Sequence, residues 1–123
     1  MKDYLIFTPD IDINEDHIEY SDVIRWALDN TGNSDVLVLK LNEVYRLQYQ
    51  SEALDIINAE NSSMLQEGED DWVFDPDVKD RIILRLEGYL NTLEVPETRN
   101  LVYKIQRLFV RSIEKNKPLH ILF

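Results

Sequence analysis

The chain has 123 residues, no cysteine and a formal net charge of -11. That length suits one domain with a real core, and 44% apolar against 30% charged residues is globular rather than disordered. Disulfides, a thiolate nucleophile and cysteine-ligated zinc are excluded, an acidic surface disfavours nucleic acid and anionic lipid, and no apolar run approaches the ~20 residues that span a bilayer.

Tyr4-Leu5-Ile6-Phe7 is a short apolar run closed by Thr8-Pro9. It reads as a strand or a tucked-in arm, too short for a secretory leader, and a cytoplasmic location is the expectation. Residues 17–29 predict a first helix. Ile18, Val23, Ile24, Ala27 and Leu28 approximate one face, Asp16 is a candidate cap, and Gly32 is suited to a left-handed turn after it. From Ser34 to about Ala59 two readings compete. Val36-Leu37-Val38-Leu39 is β-branched enough for a buried strand, but Leu37, Leu41, Val44, Tyr45 and Gln48 keep a helical period. With no Gly or Pro in the stretch, one long helix is preferred.

Residues 61–76 break periodicity, and so long a connection is often functional or disordered. Asp75 then caps a helix with Pro76 in its first position; Ile82, Ile83, Leu86, Tyr89, Leu90 and Leu93 form its apolar stripe. Pro96 separates it from a last helix over 97–116, with Leu101, Val102, Ile105, Leu108, Phe109 and Ile113 facing the core and Pro118 as its stop. The apolar tail 119–123 is a candidate to pair with 4–7. The expected fold is a mainly α single domain, residues 1–123: a compact bundle of about four helices with a small β-element from the termini, α+β being the alternative.

The charge is lopsided. Residues 1–78 hold 19 Asp and Glu against 4 Lys and Arg, whereas residues 79–123 hold 5 against 9. No motif names a reaction. Asp10-Ile11-Asp12-Ile13-Asn14 starts like a calcium loop, but Glu15 stands where the turn glycine belongs and Ser21 where the bidentate glutamate belongs. His17 and Glu19 lack the spacing of a zinc hydrolase. No metal, cofactor or catalytic residue is assigned, and the chain is read as a non-enzyme. Lys104, Arg107, Arg111 and Lys115 share one face of the last helix, read as a solvated back in preference to an RNA-binding stripe, or as an offset to the acidic front.

The most suggestive patch surrounds Trp72 and Phe74 with Glu67, Glu69, Asp70, Asp71, Asp75 and Asp77. Binding hot spots combine an aromatic anchor with charges that steer approach. The alternative is that the aromatics fold onto the chain's own core and leave an acidic rim. Asp10, Asp12, Glu15 and Asp16 are a second candidate set.

A short, acidic, cysteine-free chain with Glu67, Glu69, Asp70, Asp71, Trp72, Asp75 and Asp77 clustered resembles the bacterial immunity proteins of contact-dependent and related competition systems. The resemblance implies a cognate basic toxin as partner, an RNase or DNase, neutralised by occluding its active site or substrate groove. Other readings are a nucleic-acid mimic that blocks a defence enzyme, with acids spaced like phosphates, a metal-dependent hydrolase, and a homodimeric adaptor pairing the basic helix with the acidic front.

Overall fold

A computed structural model of the chain describes residues 4–123. In chain order the elements are β1 (Tyr4–Phe7), α1 (Tyr20–Asp29), β2 (Val36–Leu39), α2 (Leu41–Tyr49), α3 (Ala53–Asn61), β3 (Asp70–Val73), α4 (Pro76–Leu90), α5 (Pro96–Lys115) and β4 (Leu119–Leu122). The strands form one antiparallel sheet in the order β2-β1-β4-β3. The fold is therefore α+β, and the helical bundle is corrected. The termini do pair, Ile6 with Ile121, but they form the centre of a four-stranded sheet rather than an accessory.

Strand alternation divides the core in two. Leu5, Phe7, Val36 and Leu122 pack with Val23 and Ala27 of α1. Ile6, Leu39, Val73, Leu119 and Ile121 pack with α2–α5. The sheet is thus a middle layer, with α1 on one side and four helices on the other. α5 buries Leu101, Val102, Ile105, Leu108 and Phe109 against that second side, each worth about 1.5–3 kcal/mol relative to exposure.

The long helix expected over 34–59 is instead β2, α2 and α3. Leu37 and Leu39 on the strand and Val44 and Leu47 on α2 all face the same core, so one apolar rhythm runs across the junction. Side chains mark the breaks. The Lys40 N–H donates to Glu43 Oε1 at 2.9 Å. Ser51 donates its hydroxyl to the Leu47 carbonyl at 2.7 Å and accepts from the Ala53 N–H at 3.2 Å. α1 starts at Tyr20, with the Glu19 N–H bonded to Asp22 rather than a cap at Asp16, and Gly32 is not left-handed. α4 begins as expected: Asp75 Oδ1 accepts from the Asp77 N–H at 2.8 Å and Pro76 occupies the first turn.

Candidate partner-binding surface

The segment read as a loop contains β3, an edge strand held by Asp70↔Leu122, Asp71↔Ile121, Trp72↔His120 and Val73↔Leu119. The turn into it places Gly68 at φ 93°, where glycine is at ease. Pairing divides the patch. Val73 is buried with the α2–α5 core; Trp72 and Phe74 stay 41% and 50% exposed. Trp72 rests on Tyr20 at 6.2 Å and on His120 at 5.9 Å between ring centroids. Neither expected aromatic enters the core, because the residue between them does.

Glu67, Glu69, Asp70, Asp75 and Asp77 are exposed and Asp71 half-buried, and none makes an ion pair among the described residues. The Tyr20 hydroxyl donates to Asp70 Oδ2 at 3.4 Å, and burial, then Asp70, pushes the phenol up to about 12. Through Tyr20, β3 and the start of α1 become neighbours.

The second candidate set is split. Asp10 pairs with Lys115 at 2.7 Å, and Glu15 with Lys117 at 3.7 Å. Asp16 is exposed and unpaired among the described residues. Asp12 accepts from the Asn14 backbone at 2.8 Å, and its charge reaches Lys79, one turn into α4, and His120. The loop after β1 and the β3–α4 segment therefore meet. Sequence reasoning missed Glu19, Asp22 and Asp80, which extend this region without ion pairs among the described residues. For Glu19 and Asp22 the signal was their position at the cap and first turn of α1.

Lys79 and His120 lie buried beneath this face. Burial lowers Lys79 to about 8, opposed by Asp12, while its Nζ donates to the Lys117 carbonyl at 2.7 Å. Burial also lowers His120 to about 4, opposed by Asp12. Neither imidazole nitrogen has a hydrogen-bond partner among the described residues; the ring stacks on Phe7 at 5.2 Å.

The basic face of α5 divides as well. Arg111 binds Asp35 through two nitrogens at 2.9 and 3.2 Å. Lys115 joins the same carboxylate at 3.1 Å and stands over the Trp26 ring at 5.1 Å. The Arg111 hydrogen bond, with Lys115 assisting, holds the buried Asp35 carboxyl below its ordinary range. Lys104 and Arg107 make no ion pair among the described residues. No group of three His, Asp or Glu among the described residues is placed to hold a metal ion, and no helix among them is long and apolar enough to cross a membrane.

No protein-family model matches the sequence, and no curated protein matches it. Among solved structures, the chain resembles Neisseria DNA mimic protein DMP12, with a TM-score of 0.76 over 99% of this chain and 100% of that one. Identity is 19%, so the likeness establishes a shared fold. The expected partner, a cognate basic toxin, is corrected by this finding: the neighbour is a DNA mimic protein. The physical reason is that negative surface charge suits any cationic groove and does not distinguish a toxin from another basic protein.

Proposed function

We propose that this chain is a nucleic-acid mimic, a non-enzymatic inhibitor that offers carboxylates where a DNA-binding protein expects phosphates. The observation that carries the reading is the meeting of two acid-rich segments, 12–22 and 67–80, around the exposed rim of β3, with most of their carboxylates unpaired. Fixed carboxylates on a folded scaffold release the counterions of a cationic groove as a phosphate backbone does. The shared fold with a DNA mimic protein supports the same reading.

In this mechanism Asp70, Asp71, Asp75 and Asp77 form the central row, Glu67 and Glu69 one end, and Asp12, Asp16, Glu19 and Asp22 the adjoining side. Trp72 and Phe74 supply apolar contact once charge has steered the encounter. The test is affinity capture on the immobilised chain, elution with the polyanion heparin, and gel-shift competition of each captured protein against its DNA. The expected result is a basic DNA-binding protein displaced from DNA by the chain, less effectively as salt rises. Captured proteins whose DNA binding the chain leaves unaltered would overturn the proposal.

A further inference from the structure

A groove of about 350 Å³ lies between β2 and α5, at the sheet edge opposite β3. Leu37, Leu108 and Tyr103 supply apolar walls, and Lys104, Arg107 and Arg111 supply cations. We propose that this groove binds an amphiphilic organic anion, with a carboxylate, sulfonate or phosphate head on Lys104 and Arg107 and an apolar body of one or two rings along Leu37 and Leu108. The inference is independent of the mimic reading, which concerns the other edge of the sheet.

Three observations carry it. First, the volume falls in the range of small-ligand sites, roughly 300–1,000 Å³, and the site joins apolar walls to a few convergent polar groups. Second, the charge is available: Arg111 is committed to Asp35 and Glu114, whereas Lys104 and Arg107 meet no carboxylate within ion-pair distance among the described residues. In a chain of net charge -11, two uncommitted cations beside an apolar groove favour an anion there and nowhere on the acidic rim. Third, the groove is preorganised. The Asp35 carboxylate grips Arg111 at 2.9 Å, and the Asp35 and Thr8 backbones are joined at 3.0 Å, so the wall is fixed to the sheet.

The test titrates the full chain with anilinonaphthalene sulfonate, which carries two aromatic units and one sulfonate, following its fluorescence and the amide NMR spectrum. Saturable binding to one site is expected, with shifts centred on Leu37, Tyr103 and Leu108. The double variant Lys104→Glu/Arg107→Glu is expected to weaken it by about tenfold or more while thermal melting is preserved, and phenylnaphthylamine, which lacks the sulfonate, to bind wild type about tenfold more weakly. The milder Lys104→Gln/Arg107→Gln variant reads the same effect should charge reversal disturb folding. Equal affinity in the charge variants, equal affinity for the uncharged probe, or shifts centred elsewhere would each overturn the proposal.

Discussion

His120 makes the stability of this fold depend on acid in a calculable way. Its ring is wholly buried, stacked on Phe7 and covered by Trp72 and Tyr20. Burial lowers its pKa from the ordinary 6.5 to about 4, with Asp12 opposing and Lys79 adding to the shift. A depressed histidine contributes stability that is fully present above 6.5 and is lost as pH falls toward 4, because the unfolded chain takes the proton first. At ~1.4 kcal/mol per unit, the loss by pH 4 is about 3 kcal/mol. His120→Phe keeps the stack and removes the titration. Urea unfolding of both proteins should give similar stability near pH 7, or a gain for phenylalanine of about 1 kcal/mol from removing unpartnered polar atoms. Near pH 4 the variant should lead by about 3 kcal/mol more than it does at pH 7. Subtraction cancels the carboxylates, which titrate in both proteins. A stability difference unchanged between the two pH values would refute the reasoning.

Lys79 follows the same logic from the basic side. Its pKa is lowered to about 8 by burial, so stability rises as pH climbs from there toward 10.5. Lys79→Met should stabilise the protein at pH 7 by about 1–2 kcal/mol after losing its bond to the Lys117 carbonyl, and that gain should vanish above pH 10 in chemical unfolding. Asp35→Asn should cost about 2–3 kcal/mol by urea unfolding, since Arg111 and Lys115 lose a buried partner; with its pKa depressed, the wild-type advantage is present at neutral pH and is lost as pH falls through the acid range. Asp70→Asn should bring the Tyr20 phenol down from about 12, read by ultraviolet titration; an unmoved phenol would show that burial alone raises it.

How far the sequence reveals this fold depends on what kind of force built each part. α4 and α5 are bounded by Pro76, Pro96 and Pro118 and carry unbroken apolar stripes, so backbone chemistry announces them. The 4–7 and 119–122 pairing shows as two apolar runs needing cover. β3 does not show: Asp70 and Asp71 are poor strand formers, and the segment is extended because β4 offers its hydrogen bonds. The β2–α2 boundary is hidden because an alternating strand and a helical stripe can present the same apolar spacing to one core. In the candidate site, local acid clustering is visible in sequence. The commitment of Asp10, Glu15 and Asp35 to Lys115, Lys117 and Arg111 is not, since those partners lie 76 to 105 positions away.

That commitment separates bulk charge from placed charge, and two charge-matched variants test the difference. Asp70→Asn/Asp71→Asn/Asp77→Asn removes three carboxylates from the rim of β3 and the start of α4. Glu52→Gln/Glu87→Gln/Glu94→Gln removes three exposed carboxylates, without ion pairs among the described residues, near the other end of α4, which at 1.5 Å per residue is roughly 20 Å away. Each triple change leaves the same net charge, so any effect of overall repulsion or solubility is shared. Phosphate-like placement predicts that only the first loses the ability to displace DNA from its partner, and that its salt dependence flattens by about one counterion per neutralised contact. Equal losses in both would mean that the long-range field alone attracts the partner, and the arrangement around Trp72 would then have no part in recognition.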